Sequence, residues 1–156
     1  MAGTPATSMV PRVEGARVLI VESRYHEHIA DLLLAGAEAV LVRGGATFER
    51  VTVPGALEIP TTIRLAQNAG FDAFVALGCV IRGETIHFDI VAGESCRGIT
   101  DLGTRYATLI GNGILTVENE AQALERADPA QQDKGGWAAM AALSLVAAAR
   151  RFGAAR

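Results

Sequence analysis

The chain predicts a single α/β domain of the doubly wound kind, with four parallel core strands and helices on both faces of the sheet. Two observations carry this expectation. Short apolar runs recur along the sequence, and each is followed by a stretch whose apolar residues fall at helical spacing. The length of 156 residues also suits one compact domain with a substantial core.

Taken in order, residues 18–21 (Val-Leu-Ile-Val) read as a short buried strand. Ile29, Leu32, Leu33, Ala37, Val40 and Leu41 then follow at helical spacing and stop at Gly44-Gly45, a pair suited to ending a helix. Residues 48–53 alternate as a strand does. After Pro54-Gly55 a helix is expected from about residue 58 or 60 to residue 68, closed by Gly70. Residues 73–81 form the next strand, a long helix follows over residues 88–107, and residues 114–117 form a fourth strand. A short helix over residues 120–127 precedes Asp128-Pro129. The last helix, residues 136–151, sets Trp137, Met140, Ala141, Ser144, Leu145 and Ala148 on one stripe, the kind of face a helix turns to its core. Residues 1–15 are small, polar and proline-containing, without the apolar centre of a signal peptide, and are expected to be a mobile tail before a domain of residues 16–156.

Composition narrows the function classes. Half the residues are hydrophobic, yet no apolar stretch approaches the ~18 residues of a membrane span. Fourteen basic and 17 acidic residues leave a net charge of −3, which does not suggest a nucleic-acid or lipid-surface partner. Cys79 and Cys96 are too few for a disulfide framework, lack metal-site spacing and fit a reducing cytoplasm.

In an open parallel sheet, ligands bind at the turns that follow the strands. Here the first turn holds Ser23-Arg24-Tyr25-His26, and the second holds Pro54-Gly55-Ala56-Leu57-Glu58-Ile59-Pro60. The third is the run from Gly78 to Asp89, Gly-Cys-Val-Ile-Arg-Gly-Glu-Thr-Ile-His-Phe-Asp. Gly83 allows close backbone approach, and the amides of Glu84 and Thr85 lie before a helix start, where anions bind well. His87 follows, a side chain able to take or give a proton near neutral pH. An aromatic ring, a carboxylate, an anion turn and a base on one rim describe a small-molecule pocket.

These motifs, with Gly113-Ile114-Leu115-Thr116-Val117-Glu118-Asn119, Glu125-Arg126-Ala127 and Lys134-Gly135, occur in the order and spacing of the 6,7-dimethyl-8-ribityllumazine synthase family. The resemblance covers about Arg17 to Phe152, nearly everything except the tail. It implies a flavodoxin-like three-layer sandwich and the penultimate step of riboflavin biosynthesis. In that step 5-amino-6-(D-ribitylamino)uracil condenses with 3,4-dihydroxy-2-butanone 4-phosphate, releasing phosphate and water, with neither metal nor organic cofactor. It further implies that His87 shuttles protons and that Arg126, with the amides of Glu84 and Thr85, binds the phosphate. Tyr25 would stack on the pyrimidine and Glu58 would bond the ribityl hydroxyls. Ala56, Leu57, Val80 and Ile81 would line the heterocycle, with Cys79 beside them and Lys134 close to the site.

Without that resemblance, Tyr25 reads equally as packing at a helix entry, Glu58 as a first-turn carboxylate and Arg126 as a cap on terminal carbonyls. His26-Glu27-His28 is not read as a metal site, because alternating side chains on a helix diverge and no third ligand is in view. Three features depart from the family pattern: His26 stands where many members carry Asn, Asn112 where others place a Phe contributed across a subunit boundary, and Asp128 to Asp133 replaces the Gly- and Lys-rich connection of members that build icosahedral shells. Ala-rich faces of the last helix, and apolar residues on more than one face of the helix over residues 88–107 (Ile90, Val91, Ile99, Leu102), suit close helix packing, read from the residues alone as burial inside the chain and, with the resemblance, as packing between subunits. The resemblance implies a homopentamer, with Asn112 near the neighbouring pocket and no larger shell implied.

Overall fold

Every strand is followed by a helix, and the strands pair in parallel in the order β2-β1-β3-β4. The computed structural model describes residues 9–153. Its elements are β1 (Arg17–Ser23), α1 (Glu27–Arg43), β2 (Thr47–Val53), α2 (Glu58–Ala66), β3 (Ala73–Ile81), α3 (His87–Tyr106), β4 (Ile110–Val117), α4 (Glu120–Ala127) and α5 (Lys134–Arg151). The sheet separates two apolar clusters. Val18, Ile20, Val75 and Leu77 meet α1, α4 and α5 on one side. Leu19, Val21, Phe74 and Ala76 meet α2 and α3 on the other. This is the expected three-layer arrangement, with β1 and β3 central and β2 and β4 at the edges. Edge strand β2 carries Glu49 and Arg50 outward, charges that discourage pairing with another strand.

Of the boundaries that differ from expectation, two have an identifiable reason. Strand β4 begins at Ile110 rather than residue 114, because Ile110 and Gly111 pair with Phe74 and Val75 of β3. Its early residues Gly111-Asn112-Gly113 are poor strand formers, and tertiary contact overrides their propensity. A Cβ on Gly111 would stand 1.8 Å from the Ala138 carbonyl oxygen, so the glycine is what allows α5 to lie directly on the strand. Helix α5 begins at Lys134 rather than residue 136, because Asp133 caps it in the left-handed region (φ 46°) and accepts from the Gly136 amide at 3.0 Å. Helix α2 ends at Ala66, two residues early.

A larger correction concerns the face of α5. The stripe of Trp137, Met140, Ala141, Ser144, Leu145 and Ala148 does not face the sheet; Ala141, Ser144 and Leu145 are exposed and the others half-buried. The inward residues are Gly135, Gly136, Ala138, Ala139, Ala142, Leu143 and Val146. Small residues win that side because the backbones nearly touch: a Cβ on Gly135 would meet the Leu33 carbonyl oxygen of α1 at 2.0 Å. The expected tail also needs adjustment. Met1–Ser8 lie outside the described residues, but Val13 is buried, Val10 packs on the core, and the Val13 amide donates to the Gly44 carbonyl at 2.8 Å. Two valines in an otherwise polar stretch are enough to dock it.

Burial raises the Asp133 carboxyl above its ordinary value, opposed by the Gly136 amide and by Arg43. A carboxyl raised in the fold binds its proton more tightly there, so its stability contribution grows as pH falls through the folded value. Asp133→Asn should therefore keep the cap, tolerate the left-handed backbone and alter stability by no more than about 0.5 kcal/mol. Asp133→Ala loses the cap and strains the backbone, for a cost of roughly 2 kcal/mol. Urea unfolding of the two variants checks this; equal midpoints would contradict it.

Candidate active site

The turns after β1, β2 and β3 enclose a cleft of about 470 Å³ at the carboxyl end of the sheet. From the first turn come Ser23, Tyr25 and His26; from the second, Pro54, Gly55, Ala56, Leu57 and Glu58. Strand β3 and the turn after it supply Cys79, Val80, Ile81, Gly83, Thr85 and His87. Ala56 is buried in the floor, and Cys79, Val80 and Ile81 are half-buried. The Tyr25 ring is 80% exposed and meets the His26 ring edge-on, with centroids 5.1 Å apart. It is an exposed aromatic face rather than a packed residue. Glu58 opens α2, where the helix dipole favours its charge and leaves the carboxylate exposed beside Gly55.

The β3–α3 turn is braced from several sides. The Arg82 amide donates to the Val117 carbonyl at 2.9 Å, its Nε donates to Glu118 at 2.8 Å, and its guanidinium lies 4.2 Å from the centre of the Phe88 ring. Asp89 adds a longer contact at 3.4 Å. The hydrogen bond to Glu118 raises the Arg82 guanidinium above its ordinary value, so its charge is fixed. This leaves Gly83, Glu84 and Thr85 exposed at the rim, and the His87 amide donates to Thr85 Oγ1 at 3.3 Å as α3 begins. A Cβ on Gly83 would meet nothing within 4 Å, so a ligand could approach the backbone there. Glu84 is on the exposed turn but is not among the residues enclosing the cleft.

Three expected site residues lie elsewhere. Asn112, Arg126 and Lys134 line a second recess of about 280 Å³, along the outer edge of β4 and the start of α5, together with Thr116 and Trp137. Among the described residues the two hollows share no lining residue. Within the chain, Arg126 Nη1 donates to the Gln122 carbonyl at 3.2 Å, the helix-end contact available to any arginine there. Asn112 Oδ1 accepts from the Ile114 amide at 3.0 Å, and its Nδ2 lies 3.5 Å from Cys96 Sγ.

Phe88 and Val91 also line the cleft and were not singled out from sequence. Their spacing from His87, one and four residues on, places them along the first turns of α3 and could have flagged them. His28 pairs with Glu120 at 2.6 Å while His26 meets Tyr25, so the two histidines diverge. Among the described residues no group of three or more His, Cys, Asp or Glu side chains is placed to hold a metal ion.

Residues 15–150 match the family described as 6,7-dimethyl-8-ribityllumazine synthase. Proteins carrying that name are similar to this chain throughout. The one from Azorhizobium caulinodans is 58% identical over 156 residues, covering 96% of this chain and 92% of its own. That from Erythrobacter litoralis is 61% identical over 140 residues, covering 89% and 99%. That from Novosphingobium aromaticivorans is 61% identical over 138 residues, covering 88% and 99%.

Burial pushes the Cys79 thiol up to about 11. It should stay protonated at neutral pH and serve as cleft wall rather than nucleophile. Its alkylation by iodoacetamide, followed by mass spectrometry across pH, should keep rising beyond pH 10; a plateau reached by pH 8.5 would contradict this.

Proposed function

The chain belongs to the 6,7-dimethyl-8-ribityllumazine synthase family, and from that premise we propose how its residues divide the work. The protein is a transferase of riboflavin biosynthesis. It condenses 5-amino-6-(D-ribitylamino)uracil with 3,4-dihydroxy-2-butanone 4-phosphate to form 6,7-dimethyl-8-ribityllumazine. In our reading the cleft takes the uracil: Tyr25 covers its face, and Ala56, Leu57, Val80 and Ile81 wall its ring, with Cys79 beneath. Glu58 accepts hydrogen bonds from the ribityl hydroxyls, with His26 nearby. The observation that carries this is the convergence of Tyr25, Glu58 and His87 on one cleft at the carboxyl end of the sheet.

The arylamine attacks the ketone and loses water to give an imine, a proton leaves the adjacent carbon as phosphate is eliminated, the resulting enol becomes a ketone, and the ribitylamino nitrogen closes the ring on it with loss of a second water. His87, at the mouth of the anion turn, moves the proton. The amides of Glu84 and Thr85 and the guanidinium of Arg126 hold the phosphate, a planar fork suiting a dianion. Arg126, Asn112 and Lys134 lie in the other recess, so we assign them to the site of a neighbouring chain. The half-exposed Trp137 and exposed Leu145 on α5 and the exposed Ile90 on α3 support burial between copies, and the assembly we propose is a pentamer. Among the described helices none is long and apolar enough to cross a membrane. Both cysteines are free, which supports a cytoplasmic location in this reading.

His87→Ala should lower kcat by roughly 10²-fold without abolishing turnover, since general acid–base help is one part of the acceleration and holding two substrates together is another. An unchanged rate of lumazine formation would remove His87 from the mechanism. Arg126→Lys keeps the charge but loses the fork. It should impair use of the phosphorylated substrate and weaken inhibition by inorganic phosphate, with little effect on the uracil. Normal phosphate inhibition in that variant would show the arginine to be a helix cap alone. Light scattering at micromolar concentration should give a pentamer mass, and a monomer would sink the shared site.

A further inference from the structure

Glu22 is fully buried at the carboxyl end of β1, on a strand whose preceding residues, Val18 to Val21, are aliphatic. Its Oε1 accepts from Thr52 Oγ1 at 3.1 Å, its Oε2 accepts from Arg24 Nη1 at 3.2 Å, and Arg50 Nη1 stands 3.6 Å away. The other end of the Arg24 guanidinium pairs with Asp31 of α1. Neither family role nor core packing accounts for this group. Taking a carboxylate out of water is costly, and an apolar residue of similar size would serve the core at least as well. What the network supplies is geometry.

The connection from β1 to α1 is three residues long, Arg24, Tyr25 and His26. Its first residue is held from behind, by Glu22 on the strand and Asp31 on the helix. Glu22 shares its side of β1 with Val18 and Ile20, which face α1, whereas Ser23 lines the cleft. Tyr25, the next residue after Arg24, is almost bare of packing, with the His26 edge as its recorded ring contact. A ring so exposed takes its position from the backbone, and here the backbone is pinned one residue earlier.

We propose that Glu22, through Arg24 and Asp31, is a positioning residue for the uracil half of the site: it holds the Arg24–His26 turn so that Tyr25 is in place before the planar heterocycle arrives. The inference rests on the reading above that Tyr25 covers that ring. Holding the aromatic in advance lowers the ordering cost of binding, so the effect belongs to uracil affinity and not to the chemical step.

The test is steady-state kinetics of the full-length protein, varying each substrate in turn, for Glu22→Gln, Asp31→Asn and Tyr25→Ala. Glu22→Gln should raise KM for the ribitylamino-uracil about fivefold, with kcat and the KM of the phosphorylated substrate each changing less than about twofold. Asp31 is exposed, so Asp31→Asn keeps the fold even if Glu22→Gln does not, and it should raise the same KM about twofold. If Tyr25→Ala raises that KM while Glu22→Gln and Asp31→Asn only lower thermal stability, the network is merely structural and the inference fails alone. If Tyr25→Ala leaves the uracil KM unchanged, the assignment of Tyr25 fails and takes the inference with it. Parallel rises in both KM values for Glu22→Gln also overturn it.

Discussion

The seating of α5 against β4 and α1 with almost no side chain between them decides most of the rest. Gly111 under Ala138, Gly113 beside Leu77 and Ala138, and Gly135 against Leu33 leave no room for a Cβ, so the backbones come into direct contact. Helix and strand can approach this closely only where glycine and alanine line the seam. With the small residues turned inward at the start of α5, Trp137 is left half-exposed, and Ala141, Ser144 and Leu145 lie on the outside of the chain. The same seating fixes the start of α5 next to the end of α4, which brings Lys134 and Arg126 together in one recess beside Asn112.

The recess and the main cleft then stand apart as a consequence of strand order. The parallel sheet gathers the turns of β1, β2 and β3 around a common hollow, while β4 sits at the edge with its outer side unpaired. Arg126 on α4 and Lys134 at the start of α5 line the recess and not the cleft that holds His87. In our reading the chemistry asks for both sets: an aromatic and a carboxylate for a flat heterocycle bearing a polyol, a histidine for the proton, and an arginine for the phosphate. The proposed association of copies through the outer face of α5 would reconcile the two requirements, covering apolar surface and completing a cleft in one step.

The order and type of all the elements were legible in the sequence, because helical spacing and short β-rich runs are local signals. The start of β4 was not, because Gly111 and Asn112 are strand residues by pairing with β3 and not by propensity. The inner face of α5 was read the wrong way round for a related reason. Hydrophobicity favours Trp137, Met140 and Leu145 as the core stripe, while backbone proximity, a tertiary property, selects Gly and Ala at the start of the helix and leaves Leu143 and Val146 as the large inward residues further along. Tyr25, Glu58 and His87 of the rim motifs line one cleft. The motifs could not separate Arg126 from that group, since a motif gives chain order and not the side of the sheet. Glu22 was passed over because one acidic residue in a strand carries no pattern; its burial and its partners on β2 and after β1 exist only in the fold.

A mixing experiment tests the shared site most directly. His87→Ala damages the cleft and spares the recess, and Arg126→Ala does the reverse. The two variants would be unfolded together in equal amounts, refolded and assayed for lumazine formation. If each site joins the cleft of one chain to the recess of its neighbour, random assembly restores about one quarter of the sites, and activity should rise well above either parent. If His87 and Arg126 of the same chain form the site, every site carries one lesion or the other. Activity would then equal the mean of the two parents, and that result would contradict the division of labour described above.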